Sequence, residues 1–578
     1  MVNITIDGIS LSVKEGTTIL SAAKSANIDI PTLCYLKEIN EIAACRICLV
    51  EIEGLDELAP ACTTMVEEGM VITTRSPRVR MARRVNLRLI LSQHETNCTH
   101  CTRSGNCKLQ KLANDYNFIG EHYQREYPNT EDYGSPLFKK DNRCIKCMRC
   151  INICSEMQTV NVWDLIGTGS HTRVGISDAG RLLDSKCTYC GQCITHCPVG
   201  ALSERDDTGK VFNAIADPET VVVAQIAPAV RVAWAEYFGV KPQDAQAKHL
   251  VTALKLMGFD YVFDTDLAAD LTVMEEASEF IERFTHRDKY PMPLFTSCCP
   301  GWYRFCKGQF PELVDNMSTC KSPQQMFGPI IKTYFAKEKG IDPKKIFTVS
   351  IMPCVAKKEE MLRPGMDSAI PGTPDVDVVI TTRELVRMLR GENINPLNLV
   401  KTPFDELLGK GSGAGVVFGA SGGVMVAALR TAYYLITGRN PDADAFKDIA
   451  EHGHLKTAEV DVPGVGTVRV AVVSGLGNAR KLLNDIKAGM VRYDFVEVMA
   501  CPGGCAGGGG QPIHDGEELA SPRGEILWNI DKQSNLRFSH DNPQLKRIYD
   551  EFLGEPLGEL SHRLLHTDHH SWKMPGEE

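Results

Sequence analysis

The residues with the clearest capacity for chemistry are the 22 cysteines, which their spacing divides into groups. Fifteen lie in four groups upstream of residue 200. Downstream, Cys298 and Cys299 are adjacent. Two further motifs follow, one with Cys354 and one with Cys501 and Cys505. Two adjacent thiols cannot both enter one tetrahedral metal site without strain, so we expect Cys298 and Cys299 to have different roles. Because thiols stay reduced in a cytosol, this number of cysteines predicts metal binding rather than disulfides.

The first group has the spacing C-x10-C-x2-C-x13-C and follows two short alternating segments and a helix-like stretch at residues 18–26. Four thiolates on the loops of a small β domain suit a [2Fe–2S] cluster, with two sulfurs for each iron. A four-cysteine zinc site is the alternative, and the single close pair favours iron–sulfur. The stretch resembles the plant-type, β-grasp ferredoxin domain, and its ligands are Cys34, Cys45, Cys48 and Cys62.

The second group places a histidine before three cysteines: His94, Cys98, Cys101 and Cys107. A helix-like segment at residues 79–92 precedes it. The pattern resembles the [4Fe–4S] module with one histidine and three cysteine ligands, found in iron-only hydrogenases and in the large peripheral subunit of respiratory complex I. A neutral imidazole in place of a thiolate changes the net charge of the site and should move its potential. A zinc site remains the alternative.

Two matching runs of C-x2-C-x2-C-x3-C follow, the second with Pro198 after its last cysteine. This is the bacterial two-cluster ferredoxin pattern, in which the fourth cysteine of each run ligates the other cluster. Ser155 in place of a proline after the first run, and the long linker between the runs, depart from that pattern without removing a ligand. One predicted cluster is held by Cys144, Cys147, Cys150 and Cys197, and the other by Cys187, Cys190, Cys193 and Cys154.

From about residue 210, apolar strand-like runs alternate with helical patterns, which predicts an α/β domain with mostly parallel strands. Several of these strands lead directly into a chemical motif, as expected at the carboxyl ends of parallel strands. The predicted strands cover residues 221–226, 261–263, 347–351, 376–380, 468–473 and 495–498.

Composition indicates a protein of several domains, with 578 residues of which 43% are apolar and 24% charged. Apolar runs are far too short to span a membrane, and the start of the chain lacks a secretory pattern, so we predict a cytoplasmic location. A net charge of −10 argues against nucleic-acid binding. One basic cluster is interpreted as the solvated face of a helix, or alternatively as a docking face for an acidic electron carrier: Arg75, Arg78, Arg80, Arg83, Arg84 and Arg88.

Three separate motifs carry a specific resemblance: Thr296-Ser297-Cys298-Cys299-Pro300-Gly301-Trp302, Met352-Pro353-Cys354 with the following Val-Ala-Lys-Lys-Glu, and residues 499–512. They are similar to the three signatures of [FeFe]-hydrogenases, and the upstream modules resemble the large clostridial type of that family. The resemblance implies a [4Fe–4S] cluster on Cys299, Cys354, Cys501 and Cys505. It also implies that Cys505 bridges to a two-iron subsite with CO, cyanide and a dithiolate.

The same resemblance implies further residues around this two-iron site. Lys357 could donate a charge-assisted hydrogen bond to a cyanide. Glycines at residues 503–510 permit tight turns and a close approach of the backbone to the inorganic group, and the glycine-rich segment 412–423 is interpreted as a second backbone wall. The residues expected to wall the cavity are Ala227, Pro228, Gln324, Met352 and Met499.

Protons need a route to a buried metal site. Glu276, Glu279 and Arg283 recur at i, i+3 and i+7, which places them on one helix face. By resemblance, the route runs from Cys298 through Glu276, Ser318 and Glu279 to Arg283, with Cys298 as acid or base. A buried carboxyl on it would need a raised pKa. We expect ordinary buried thiols at Cys306 and Cys320, and a solvated tail at His562, His566, His569 and His570.

These inferences predict a multidomain α+β and α/β [FeFe]-hydrogenase that catalyses 2H⁺ + 2e⁻ ⇌ H₂. Its predicted parts are a β-grasp [2Fe–2S] domain at residues 1–78, a histidine-ligated [4Fe–4S] domain at 79–125, a 2[4Fe–4S] ferredoxin-like domain at 138–208 and the catalytic domain at 210–578. Ferredoxin, or flavin- and NAD(P)-binding partner subunits, would exchange electrons, and maturation proteins would supply the two-iron subsite. The alternatives are the catalytic subunit of an NAD(P)-linked or electron-bifurcating complex, a non-catalytic hydrogenase-like scaffold, and an electron-input subunit of a respiratory-type dehydrogenase.

Overall fold

A computed structural model of the chain describes all residues except 119–133, 178–179, 243, 450–453, 465, 516 and 578. The end of the predicted second domain, residues 119–125, therefore lies outside the described residues. The strands, in chain order, are β1 (Val2–Ile6), β2 (Ile9–Val13), β3 (Leu49–Ile52), β4 (Ala59–Pro60), β5 (Val71–Thr73), β6 (Leu137–Lys139), β7 (Trp163–Ile166), β8 (Arg173–Ile176), β9 (Leu202–Glu204), β10 (Val221–Ile226), β11 (Tyr261–Asp264), β12 (Leu294–Phe295), β13 (Ile346–Met352), β14 (Val378–Thr381), β15 (Leu455–Val462), β16 (Gly466–Ser474) and β17 (Phe495–Met499).

The N-terminal unit is a five-stranded sheet in the order β2-β1-β5-β3-β4, covered by a short helix. The predicted hairpin is present as β1 and β2, paired antiparallel. The helix Ile19–Ser25 begins where the Thr18 hydroxyl accepts a hydrogen bond from the Ser21 backbone, and it buries Ile19 against the sheet. The segments that carry the first group of cysteines are loops connected to this sheet.

The helix Pro77–Leu91 leaves the first unit and packs back onto its cysteine loop. Here the interpretation of all six arginines as one solvated face is wrong. Arg83 is buried and its guanidinium donates to the Leu49 carbonyl at 2.6 Å. Arg84 donates to the Tyr116 carbonyl at 2.6 Å. These two arginines therefore join the helix to its neighbours, while Arg75, Arg78 and Arg80 remain exposed.

The two four-cysteine runs lie in a small unit framed by the antiparallel pair β6 and β9. A short helix begins at the same point of each run, Arg149–Asn152 in the first and Gln192–Thr195 in the second. Each helix follows a left-handed residue, Met148 at φ 63° and Gly191 at φ 74°. The long linker between the runs forms a hairpin of β7 and β8.

The catalytic unit contains two four-stranded sheets. The first, β11-β10-β13-β14, is entirely parallel, and the second, β12-β17-β16-β15, is parallel except for β15. All six strands predicted here are present with bounds shifted by a few residues at most. The short β12 and the edge strand β15 were missed, since two apolar residues and a half-exposed edge give little periodicity.

Helices surround both sheets, and Thr265–Thr285 is the longest of them; its inner face is almost wholly buried. No helix among the described residues is long and apolar enough to cross a membrane. The remaining α-helices are Lys108–Asp115, Thr208–Ala216, Ala247–Met257, Pro300–Gln309, Pro323–Ile330, Ala336–Lys339, Lys357–Glu360, Thr382–Gly391, Gly413–Val417, Gly423–Thr437, Leu476–Lys487, Ala520–Gln533, Pro543–Ile548 and Glu559–Leu565.

Candidate metal centres and proton route

The four cysteines of the first group converge as two pairs. The sulfurs of Cys48 and Cys62 lie 3.3 Å apart. Hydrogen bonding between Cys34 and Cys45 lowers the pKa of the Cys45 thiol to about 6 and raises that of Cys34. Two thiol pairs on the loops of one small sheet are the donor set that a two-iron cluster needs, so the residues present fit such a group.

His94 has the hydrogen bonding of a metal-ligating imidazole. Its Nδ1 lies 2.9 Å from the Arg143 carbonyl, which can only accept, so Nδ1 carries the proton and Nε2 keeps its lone pair. Burial lowers the pKa of His94 to about 4, which keeps the ring neutral. His94, Cys98, Cys101 and Cys107 line one cavity of about 230 Å³. The histidine and the three cysteines thus fit a common metal group.

The cysteines of the two ferredoxin runs lie close to one another. The thiol of Cys150 is buried, and repulsion from Cys147, Cys144 and Cys197 adds to burial in raising its pKa. The thiol of Cys193 responds in the same way to burial and to Cys190, Cys187, Cys150 and Cys154. The fourth cysteine of each run therefore lies near the first three of the other run.

Backbone contacts connect these cysteine groups. Asn40 donates to the carbonyls of Cys34 at 2.7 Å and of Cys147 at 3.0 Å, so the first sheet abuts the first ferredoxin run. At the end of the second run, the thiol of Cys107 lies 3.8 Å from the Pro198 carbonyl. Both N-terminal groups therefore meet the same set of ferredoxin cysteines, with Arg103 donating to the Cys197 carbonyl at 2.9 Å.

Four cysteines of the catalytic unit converge at the carboxyl ends of strands. Cys354 follows β13 and Cys501 follows β17, while Cys299 begins a helix just after β12. Burial, together with repulsion from Cys354, Cys190, Cys299 and Cys505, raises the pKa of Cys501. Four crowded thiols, of which Cys501 is buried and the other three are half-buried, are unfavourable as thiolates on their own and favourable around iron, whose charge offsets theirs. The donor set therefore fits a four-iron cluster.

The second ferredoxin run lies beside this central group. The Cys501 thiol is 3.8 Å from the Cys190 carbonyl, and the charge of Cys299 acts on the thiol of Cys190. A methyl group on Gly509 would lie 2.2 Å from that carbonyl. The glycine-rich loop therefore packs its backbone directly against the backbone of the second ferredoxin run. This contact is additional to the close approach to the inorganic group that the sequence predicted for these glycines. The 412–423 segment also contacts this loop, since the Ala506 amide donates to the Gly419 carbonyl at 2.8 Å.

Lys357 points into the central site and is held by a residue that the sequence analysis missed. Its ammonium donates to Glu360 at 2.8 Å and to the Cys298 carbonyl at 3.2 Å. Glu360 also accepts a hydrogen bond from the side-chain amide of Gln324 at 3.2 Å. The side-chain oxygen of Gln324 is buried and has no hydrogen-bond partner. The sequence did contain a signal for Glu360, because an acidic residue three positions after a lysine lies on the same face of a helical turn.

A second missed residue, Glu497, lies on β17 two positions before Met499. Its carboxylate accepts from the backbone amides of Gly422 at 2.7 Å and Met425 at 2.8 Å, at the start of the helix Gly423–Thr437. Burial raises the pKa of Glu497 to about 7. It fixes the Gly422 turn to the strand that leads to Cys501.

The predicted wall residues are all buried. Met499 packs with Cys298 and Phe418 in one apolar cluster. Met352 packs with Ala227 in another, where the Ala227 amide donates to the Ile351 carbonyl at 3.1 Å. The two methionines thus approach the central cysteines from the two sheets, and Pro228 follows Ala227 at the end of β10.

The inner end of the predicted proton route is buried but not hydrogen-bonded. Neither carboxylate oxygen of Glu276 has a hydrogen-bond partner. Burial and the charge of Glu279 raise the pKa of Glu276 to about 8. Burial, followed by the charge of Glu276, raises the pKa of the Cys298 thiol. Glu276 is therefore a carboxyl that can hold a proton near neutral pH beside Cys298.

The outer end is a continuous hydrogen-bonded chain. Ser318 donates to Glu279 at 2.6 Å, and Arg283 donates to the other oxygen of Glu279 at 2.7 Å. Burial alone would raise the pKa of Glu279, but Arg283, Ser318 and the Thr319 amide hold it below its ordinary value. The structure thus brings Ser318, Glu279 and Arg283 together. It leaves Glu276 without a hydrogen bond of ordinary length, although Ser318 and the Ser297 backbone are close enough to lower its pKa.

The expectation of a solvated histidine tail is wrong for two of the four histidines. His566 and His569 are buried, while His562 and His570 are exposed. The Nε2 of His569 lies 2.6 Å from the Ser318 carbonyl. Cys306 and Cys320 are buried thiols as expected, and the sulfur of Cys320 lies 3.7 Å from Glu279. Local spacing gave no signal for the contact of His569, because it joins residues 251 positions apart.

The fold and the cysteine groups define an iron–sulfur oxidoreductase whose modules lead to one buried α/β site. Comparison with known families agrees, since residues 220–509 match the iron only hydrogenase large subunit, C-terminal domain. Residues 1–77 match a 2Fe-2S iron-sulfur cluster binding domain, and residues 83–119 the NADH-ubiquinone oxidoreductase-G iron-sulfur binding region. Residues 134–203 match the NADH-quinone oxidoreductase subunit 3 ferredoxin-like domain, and residues 517–572 the iron hydrogenase small subunit.

Individual relatives are similar over almost the whole chain. The NADP-reducing hydrogenase subunit HndD of Solidesulfovibrio fructosivorans is 46% identical, covering 98% of each chain. Iron hydrogenase 1 of Clostridium pasteurianum is 38% identical over 98% of this chain and 99% of its own. A solved variant of the apo [FeFe]-hydrogenase HydA1 of Chlamydomonas reinhardtii is 41% identical with a TM-score of 0.58, covering 64% of this chain and 99% of that one.

The chain belongs to the [FeFe]-hydrogenase family and is an iron–sulfur hydrogenase. The sequence-based prediction of the family and of the enzyme class is confirmed. The small-subunit match at residues 517–572 was not foreseen, because that segment contains none of the cysteine motifs.

Proposed function

We propose that this enzyme interconverts protons, electrons and H₂ at a cofactor held by Cys299, Cys354, Cys501 and Cys505. The observation that carries the proposal is the convergence of these four thiols beside Lys357 and the unpartnered carboxyl of Glu276. The cofactor would be a [4Fe–4S] cluster linked through Cys505 to a two-iron subsite with CO, cyanide and a bridging dithiolate. When bound, it would supply the metal site at which protons and electrons combine.

Residues of the chain would orient and enclose that subsite. Lys357 has three ammonium protons and spends two on Glu360 and the Cys298 carbonyl, so one is left for a cyanide nitrogen. Gln324 brings an unpartnered polar oxygen to the same place. The apolar walls, which would exclude water, would be Met352, Met499, Ala227 and Pro228.

Electrons would reach the site through one [2Fe–2S] and three [4Fe–4S] clusters. The contacts of Asn40 and Cys107 support two entry arms that meet at the cluster of Cys144, Cys147, Cys150 and Cys197. The cluster of Cys154, Cys187, Cys190 and Cys193 would come next, since the Cys190 carbonyl touches Cys501. The entry arms would be the cluster of Cys34, Cys45, Cys48 and Cys62 and that of His94, Cys98, Cys101 and Cys107.

Protons would pass between Cys298 and solvent. Cys298 would exchange a proton with Glu276, whose raised pKa lets it hold one near neutral pH. Ser318 and Glu279 would carry the proton on towards Arg283, whose guanidinium keeps its own protons and fixes Glu279 by charge. A water molecule between Cys298, Glu276 and Ser318 would close the gap in hydrogen bonding.

The electron partner would be a ferredoxin or a partner subunit that binds flavin and NAD(P). The relative named as a subunit of an NADP-reducing hydrogenase supports the second of these, as does the chain's match to quinone-oxidoreductase modules. A cytoplasmic location would suit either partner.

Infrared spectroscopy and hydrogen assays on the matured enzyme test the proposal. We expect CO and cyanide stretching bands and H₂ turnover in the wild type. Cys298→Ala should keep the bands and lose at least about 100-fold in turnover, because proton transfer by a positioned group contributes that much. Cys306→Ala, another buried thiol, is the matched control and should keep both. A wild type without these bands would overturn the cofactor assignment, and full turnover in C298A would overturn the role of Cys298.

A further inference from the structure

Glu279 is an unfavourable place for a proton to stay. Four donors surround its carboxylate: Arg283, Ser318, the Thr319 amide at 3.1 Å and the Thr319 hydroxyl at 3.3 Å. Such donors stabilise the charged form, so a proton that reaches Glu279 is readily lost again. Arg283 cannot take it up, because a guanidinium is already protonated. A group that holds protons near neutral pH is needed close to Glu279.

His566 lies one hydroxyl group away. Its Nδ1 is 2.8 Å from the Thr319 hydroxyl, and that hydroxyl also reaches Glu279. Its Nε2 is 3.1 Å from a carboxylate oxygen of Glu275. The imidazole therefore has a partner on each ring nitrogen, one that leads to Glu279 and one that is a buried carboxylate.

The surroundings of His566 consist of groups that can share or balance a proton. Glu275 is in turn held by the Tyr549 hydroxyl at 2.6 Å and the Leu557 amide at 2.8 Å. Cys320 and Glu279 each place a side-chain donor or acceptor atom within 4.8 Å of the ring nitrogen. The exposed ring of His562 stacks on His566 with centroids 4.8 Å apart and an interplanar angle of 6°.

We propose that His566 is a proton-storing side branch of the route, connected to Glu279 through the Thr319 hydroxyl. The inference rests on the proposed hydrogenase activity. In the storing direction, the proton of the Glu279 carboxyl passes to the Thr319 oxygen while the Thr319 hydroxyl proton passes to His566 Nδ1. The result is a Glu279 carboxylate, an intact threonine hydroxyl and an imidazolium that donates to Glu275. The reverse transfer returns the proton, and partly exposed Thr319 lies where solvent can refill the store.

Because one H₂ requires two protons, a stored proton shortens the wait for the second. The branch should therefore affect turnover without being essential to it. Thr319→Val removes the hydroxyl but keeps the shape of the side chain and the backbone amide that binds Glu279. Thr319→Ser keeps the hydroxyl and is the matched control. His566→Gln keeps a donor towards Glu275 but has no basic nitrogen that could accept a proton.

The experiment compares H₂ production from reduced methyl viologen across pH 5–9 in H₂O and D₂O, in enzyme whose infrared bands match those of the wild type. We expect T319V and H566Q each to lose about tenfold in turnover, less than a main-route residue. Both should show a larger solvent isotope effect and an altered pH profile, and the double variant should lose no more than either single one. T319S should resemble the wild type.

Wild-type turnover and pH profile in T319V would overturn the inference, even if H566Q failed to fold. Equal losses in T319V and T319S, or loss of the infrared bands in T319V, would also overturn it, because they indicate a structural role. A wild type that neither shows the bands nor turns over H₂ would instead contradict the proposed function itself.

Discussion

At the scale of single residues, burial decides what each ionisable side chain can do. Glu276 and Glu279 are one helical turn apart and equally buried, but only Glu279 has partners. Burial and the charge of Glu279 raise the pKa of Glu276 to about 8, whereas Arg283 and the donors around Glu279 hold its pKa low. Two carboxyls of the same type are therefore given different proton affinities by their neighbours.

Glu276→Gln should separate stability from activity. The pKa of Glu276 is raised above its ordinary value of 4.5, so as pH rises the unfolded chain loses this proton before the folded chain does. Wild-type stability attributable to Glu276 therefore falls between about pH 4.5 and pH 8. Relative to the wild type, E276Q should gain roughly 4 kcal/mol on going from pH 5 to pH 8, at about 1.36 kcal/mol for each pH unit.

Thermal-denaturation midpoints at the two pH values measure this gain, and H₂ production should fall by at least about 100-fold in the same variant. The stabilisation should be small at pH 5, because this pH lies only half a unit above the ordinary pKa of 4.5 and little of the difference has accumulated. A stability difference between E276Q and the wild type that does not change with pH would show that Glu276 is not held protonated.

At the scale of elements, strand ends and tight loops bring the cysteines together. The parallel strands β12, β16 and β17 end at one edge of their sheet, which places the segments of Cys299 and Cys501 side by side. The glycine loop after Cys501 then packs backbone to backbone against Cys190 and Gly191. The distance between two predicted clusters thus depends on glycines that carry no chemistry of their own.

Gly509→Ala should widen that contact. The added methyl would meet the Cys190 carbonyl at 2.2 Å, and since both partners are backbone, the loop or the ferredoxin helix must shift. We expect a destabilisation of about 1–3 kcal/mol and slower electron transfer into the central site, measured by freeze-quench electron paramagnetic resonance of the reduced clusters.

Gly209→Ala is the matched control, since its added methyl meets nothing within 4 Å and it lies in the helix Thr208–Ala216. This change should be neutral or stabilising by up to about 1 kcal/mol. Electron transfer in G509A at the rate of G209A would mean that the packed glycine does not set the spacing of the clusters.

At the scale of the whole molecule, Arg149 ties three units together. It is 1% exposed and donates to the carbonyls of Cys34 and Tyr35 in a loop of the N-terminal unit and of His196 in the ferredoxin unit. It also pairs with Asp515, near the C-terminal part of the chain, at 2.7 Å. One guanidinium thus donates to three carbonyls and a carboxylate from different parts of the chain.

Arg149→Met should loosen the first sheet from the rest of the enzyme. Removing one member of a buried ion pair costs about 3–5 kcal/mol, because Asp515 is left without its main partner. We expect faster amide hydrogen exchange at the boundary around Cys34 and Tyr35. Arg469→Met breaks an exposed pair with Glu459, which is worth about 1 kcal/mol or less, and should leave that exchange unchanged. Equal protection in both variants would contradict the role of Arg149.

The sequence alone determined the family, the order of the modules and six strands of the catalytic unit. Cysteine spacing and strand periodicity are local, so they can be counted along the chain. The same spacing predicted that the fourth cysteine of each ferredoxin run ligates the other cluster. That ligand set stays a prediction, and the structure shows Cys197 near the first run and Cys154 near the second.

Only the tertiary structure decided which side chains surround those cysteines. Glu360 and Glu497 are buried, and no pattern in the sequence predicts burial of these acidic residues. His566 and His569 are also buried, although the sequence analysis expected them in solvent. In the helix Pro77–Leu91, the sequence likewise did not show which arginines donate to carbonyls of neighbouring segments and which face solvent. Burial and contact between residues hundreds of positions apart depend on how the units pack, and in this enzyme that packing surrounds the proposed proton route with the C-terminal histidines.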